Sequence, residues 1–187
     1  MDLGISGRRA ILLASTRGLG RACAESIARE GVDVVVNGRT AQDVTTAVAA
    51  LSERYDVDVR GVVGDSSTTA VHDALLEACA EPYIVLHNGE GPPPMPFGRI
   101  DEAALSASLQ QSLIGPLMFL QRVLPGMRTR GFGRIVAISS AMVKSPNPMM
   151  SLSHGPRLGL TGVLKGLSKD VARHNVTVNQ LLPERFD

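Results

Sequence analysis

Residues 8–31 read RRAILLASTRGLGRACAESIAREG, and this stretch decides the fold. Arg9–Ala14 is a short apolar burst, the pattern of a buried strand. A turn follows, Ala14-Ser15-Thr16-Arg17-Gly18-Leu19-Gly20. Residues 19–30 then read as a helix that Gly31 ends. Glycines at a strand-to-helix turn let the backbone approach a pyrophosphate. The helix start adds free N–H groups and the positive end of its dipole. A plain packing turn looks the same from the glycines alone. Position favours nucleotide binding, because a second strand, Val32–Asn37, follows at the right distance.

Outward from this unit the alternation repeats. Asp58–Val63, Tyr83–His87, Arg134–Ser139 and Val176–Leu182 read as four more strands. Helices are expected near 41–54, 68–80, 101–129 and 151–174. This order predicts an α/β, Rossmann-type doubly wound parallel sheet, ordered 3-2-1-4-5-6, with helices on both faces and one domain over residues 1–187. The proline-rich GEGPPPMPFG at 89–98 is a loop. Pro116 and Pro125 should kink or end the 101–129 helix.

Two helices are apolar on more than one side. One carries Leu109, Leu113, Ile114, Leu117, Met118, Phe119 and Leu120; the other carries Leu158, Leu160, Val163, Leu164, Leu167 and Val171. A helix on one sheet face needs a single apolar stripe. The excess points to a subunit contact, and so to a homodimer or homotetramer through helices 101–129 and 151–174; the other reading is a wide core stripe.

Aromatics make up only 3% of the 187 residues, so Val, Leu, Ile and Ala must build the core. A net charge of +1 gives no field that would draw nucleic acid or a membrane surface. No run approaches a transmembrane span and no secretory pattern opens the chain. Cys23 and Cys79 read as reduced core thiols, which suits a cytoplasmic protein. No metal site is expected.

The motifs together resemble the short-chain dehydrogenase/reductase family, in its 3-oxoacyl carrier-protein reductase-like branch. Gly18 and Gly20 match the last two glycines of its Gly-x-x-x-Gly-x-Gly turn, and Ala14 replaces the first. Asp65 after strand three, Asn88-Gly89 after strand four, LIGPLMFLQRVLPGM at 113–127, GRIVAISS at 133–140 and VTVNQLLP at 176–183 extend the resemblance along nearly the whole chain. It implies hydride exchange between a nicotinamide dinucleotide and a small carbonyl or alcohol. The implied cofactor contacts are Ala14, Ser15, Arg17, Gly18, Leu19, Gly20, Asn37, Arg39, Asp65, Asn88, Gly89, Arg157 and Pro183. Strand two ends in Asn37-Gly38-Arg39, without the carboxylate that NAD enzymes usually place there. Arg17 and Arg39 suit a 2′-phosphate, which favours NADP(H) over NAD(H).

The catalytic positions implied by the resemblance are mostly substituted. Ser140 keeps the family's serine. Ser153 stands at the tyrosine position, Arg157 at the lysine and Ser112 at the asparagine. An aliphatic hydroxyl is a far weaker acid than a phenol, whose pKa is about 10. His154 and Lys144 are the candidate substitute donors; each also reads as an ordinary surface polar residue. Tyr55 and Tyr83 precede strands three and four and belong at the opposite end of the sheet. His87 and Glu90 alter the family's Asn-Asn-Ala-Gly, and Glu90 brings a carboxylate towards an anionic cofactor. Glu184 replaces the glycine expected after Pro183, and the sequence stops before the family's lid and seventh strand. Two functions stay open: an oxidoreductase with an atypical site, or a catalytically inert nucleotide-binding or interaction protein.

Overall fold

The structure is a computed structural model that describes residues 2–184. Six parallel strands form one sheet in the order β3-β2-β1-β4-β5-β6, as the alternation predicted. They are β1 Arg9–Leu12, β2 Asp33–Gly38, β3 Val59–Val63, β4 Ile84–His87, β5 Gly133–Ile138 and β6 Val176–Leu181. Ile11 pairs with Val35 on one side and Val85 on the other, so β1 lies inside the sheet. The order reverses between β1 and β4, which opens a crevice at their C-terminal ends.

The helices are α1 Gly18–Arg29, α2 Ala41–Arg54, α3 Thr69–Ala78, α4 Glu102–Leu109, α5 Gly115–Arg130 and α6 Ser151–Val171. Strand residues alternate between two cores. Ala10, Leu12, Val34 and Val36 face α1 and α2, meeting Ala24, Ala28, Ala47 and Leu51. Ile11, Leu13, Val35 and Val85 face α3, α5 and α6, meeting Leu75, Phe119, Met127 and Leu164. Thr40, Thr68 and Asp101 cap α2, α3 and α4 through their side chains, accepting from Asp43 N, Val71 N and Ala104 N. Arg17, at the start of α1, makes no such bond.

The long 101–129 helix departs from expectation. Its break is a π-helical turn at Gln110–Ile114, ahead of Pro116. Pro116 follows directly as the second residue of α5. Pro125 does not end α5, which runs on to Arg130. Gly115 packs against the loop after β3: a Cβ there would stand 2.6 Å from Ser67 Cα. Taken through the π turn, Glu102–Arg130 is long and apolar enough to cross a membrane, contrary to the sequence reading. Its α5 half lies on the sheet, with Phe119, Leu120, Val123 and Met127 buried in the core. Leu105, Ile114, Met118, Leu158 and Val163 of α4, the π turn, α5 and α6 are exposed.

Strand β1 ends at Leu12 rather than Ala14. Leu13 N still donates to Leu86 O at 2.9 Å. Ala14 then turns into the left-handed region at φ 46°.

Candidate active site

The turn after β1 is locked by close approach. A Cβ on Gly20 would lie 2.4 Å from Ala14 O and 2.7 Å from Asn88 Nδ2, so only glycine fits. Asn88 Nδ2 itself donates to Ala14 O at 2.9 Å, tying the end of β4 to the turn. Gly18 is left-handed at φ 54°. Ala14 holds the conformation a glycine would hold, at a strain cost of about 1 kcal/mol.

Two residues expected at the cofactor have side chains bonded within the protein, and Asn37 also lines the groove described below. Ser15 is fully buried: its hydroxyl donates to Leu12 O at 2.7 Å and its N–H to Asn37 O at 2.8 Å. Asn37 is 2% exposed and acts as a hub. Its Oδ1 accepts from Ala14 N at 3.2 Å, and its Nδ2 donates to Val62 O and Gly64 O, both at 3.1 Å. The physical reason is position: both stand where β2 meets neighbours on either side, and three backbone groups there need partners.

A groove of about 370 Å³ runs along the crevice, lined by Thr16, Arg17, Gly18, Leu19, Arg39, Asp65, Asn88 and Gly89 among others. Asp65 Oδ1 accepts from Ser67 N at 2.9 Å, which shapes the turn after β3. Gly38 is a contact that sequence reasoning passed over. A Cβ there would meet Thr16 Cγ2 at 2.5 Å, so side-chain recognition at the end of β2 falls to Arg39. Glu90 lies between the two expected arginines: it accepts from Arg17 Nη2 at 3.0 Å and also from Arg39 Nη2.

Beside the groove is an inner cavity of about 20 Å³, lined by His87, Gln111, Ser112, Ser139 and Arg157 among others. That is room for a single water. Arg157 Nε donates to the buried Ser153 Oγ at 2.8 Å, one helical turn apart on α6. Its guanidinium lies over Gly91, where a Cβ would stand 2.9 Å from Nη2. Burial lowers the Arg157 pKa from its ordinary value. His87 is buried, and burial, then the Arg157 cation, push its pKa down to about 4. Its Nδ1 has no hydrogen-bond partner among the described residues. Ser112 is buried in the π turn, and Gln111 beside it lines both the cavity and the groove. The π turn therefore carries an amide, Gln111, one residue before the expected position.

Ser140 opens the loop after β5, and its Oγ accepts from Met142 N at 3.2 Å. Pro183 lies beside it, with Pro183 O accepting from Ala141 N at 2.9 Å. The two substitute donors are not gathered into groove or cavity. Lys144 is exposed, and His154 Nε2 accepts from Asn147 N at 3.2 Å on the outer loop. Tyr83 lies at the strand starts, with the Arg8 and Arg130 guanidiniums 5.1 and 4.7 Å from its ring centre. It is at the far end of the sheet, as expected.

A parallel 3-2-1-4-5-6 sheet with a glycine-locked turn at the switch point defines a Rossmann-type α/β protein. Residues 8–187 match the short chain dehydrogenase family, and the chain belongs to it. It is 27% identical to the 3-oxoacyl-[acyl-carrier-protein] reductase FabG of Aquifex aeolicus, over 98% of this chain and 75% of that one. It is 28% identical to the inactive hydroxysteroid dehydrogenase-like protein 1 of Pongo abelii, over 95% of this chain and 55% of that one. Among solved structures, L-sorbose reductase from Gluconobacter frateurii, complexed with NADPH and L-sorbose, superposes with a TM-score of 0.93 at 26% identity. That match covers 98% of this chain and 71% of the reductase. The chain thus spans between about half and three quarters of the length of these relatives.

Proposed function

We propose that the chain binds NADP(H) in the groove and carries an oxidoreductase site whose proton donor has been replaced, so that carbonyl reduction or alcohol oxidation is slow. The groove suits the cofactor: Gly18 faces open space on its wall, α1 starts without a side-chain cap, and Arg17 and Arg39 flank the end of β2. The nicotinamide, when bound, would supply a hydride to a carbonyl carbon or accept one from the carbon that bears an alcohol hydroxyl. Arg157 would hold the nicotinamide ribose through its Nη atoms, and Ser140 would orient the substrate oxygen. Small carbonyls or alcohols are the proposed substrates, the proposed setting is the cytoplasm, and the proposed assembly is a homodimer or homotetramer.

The observation that carries the reading is the Ser153–Arg157 pair. Arg157 cannot give up a proton near neutral pH, and Ser153, a far weaker acid than the phenol it replaces, accepts a hydrogen bond from it. Loss of a positioned general acid costs about 10²–10⁴-fold, or roughly 3–5 kcal/mol of barrier. The same pair favours a second reading, an inert cofactor-binding relative. Titration of NADPH and NADH by fluorescence, followed by turnover of a 3-oxoacyl thioester, tests both. Tighter NADPH binding with slow turnover, raised by Ser153→Tyr with Arg157→Lys, supports the first reading. NADPH binding without turnover in either form supports the second. Brisk wild-type turnover overturns the lost donor, and equal titrations of the two cofactors overturn the preference for NADPH.

A further inference from the structure

We infer that Glu90 is a specificity-determining residue: its carboxylate competes with a 2′-phosphate for Arg17 and Arg39. The inference rests on the NADP(H) reading of the groove. Three loops converge to build it. Arg17 comes from the turn after β1, Arg39 from the end of β2 and Glu90 from the loop after β4. Strands β2, β1 and β4 are adjacent in the sheet, so their C-terminal ends open on the same crevice. Glu90 Oε1 takes Arg17 and Oε2 takes Arg39, and all three residues line the groove.

The backbone of residue 90 is held from both sides. Asn88 is tied to Ala14 O, and Gly91 lies beneath the Arg157 guanidinium. The carboxylate is therefore placed by the ends of the loop rather than left to sweep the surface. All three side chains stay more than half exposed, so an incoming anion can reach them.

The consequence is chemical. Two bare guanidiniums present two positive charges to a ribose phosphate; with Glu90 between them the trio presents one. A 2′-phosphate must displace the carboxylate or share its donors, and in either case meets a like charge close by. An unphosphorylated ribose faces no such conflict, since its hydroxyls can donate to the carboxylate while the arginine bridges stay closed. Glu90 thus narrows the preference for the phosphorylated cofactor that the arginines alone would set. It acts from β4, a position outside the usual place for an acid at the end of β2.

The test isolates the adenosine half with 2′,5′-ADP and 5′-ADP, titrated calorimetrically into the full chain. Glu90→Gln keeps the size and removes the charge; because the side chain is exposed, the fold should be unaffected, and Glu90→Gly serves as a second variant. Freed of two exposed ion pairs, both variants should bind 2′,5′-ADP about tenfold more tightly, while 5′-ADP changes by about twofold or less. In an Arg39→Ala background the gain should shrink. Equal changes for both nucleotides, no change, or weaker 2′,5′-ADP binding overturn the inference and leave the cofactor reading intact. If neither the wild type nor the variants bind either nucleotide, the cofactor reading falls and the inference falls with it.

Discussion

Replacing Asn37 by alanine should destabilise the protein without touching its main core. Asn37 is 2% exposed and makes three side-chain hydrogen bonds, to Ala14 N, Val62 O and Gly64 O. Alanine leaves one N–H and two carbonyls short of a partner. A net contribution of about 1 kcal/mol per bond, with part of the desolvation penalty added for the N–H, gives a loss of about 2–4 kcal/mol. For a chain of this size that is a fall in Tm of roughly 5–15 °C. Urea unfolding followed by circular dichroism, with the slope checked for constancy, measures it. Asn37→Asp makes a sharper control. It keeps the shape and the acceptor for Ala14 N but turns a lone pair towards Val62 O and Gly64 O, so it should cost at least as much. A loss below about 1 kcal/mol in both variants would mean that these three bonds add little to stability, and the hub reasoning would be refuted.

Ala14→Gly should stabilise by about 1 kcal/mol, because φ 46° is easy for glycine and strained for alanine; a rise in Tm of about 2–4 °C checks it. His87 titrates at about 4 in the folded chain against 6.5 unfolded, so below pH 6.5 the unfolded state binds more protons. Stability should fall as pH drops from 6.5 towards 4, by about 3 kcal/mol more than in His87→Asn; parallel pH profiles of the two proteins would count against this burial argument. Val163→Glu with Leu158→Glu, on the exposed face of α6, should turn the proposed oligomer into a monomer in light scattering, with little change in Tm at low concentration.

Sequence by itself determined the sheet, its order and the glycine turn after β1. Strand and helix periods are local, and Gly18 and Gly20 advertise a backbone that must turn sharply and approach closely. The positions Ser153 and Arg157 came from the family resemblance, and helical spacing then puts them one turn apart on α6. Side-chain direction at strand ends was not legible. Ser15 and Asn37 bond to backbone groups of neighbouring segments, and those neighbours are set by strand order, not by sequence distance. The π turn brings Gln111 to the cavity, and next to it Gly115 closes against Ser67, a contact between distant segments. The Arg17–Glu90–Arg39 bridge is likewise a product of tertiary structure. Its charges are far apart along the chain, and only the adjacency of β2, β1 and β4 brings them within bonding distance across one groove.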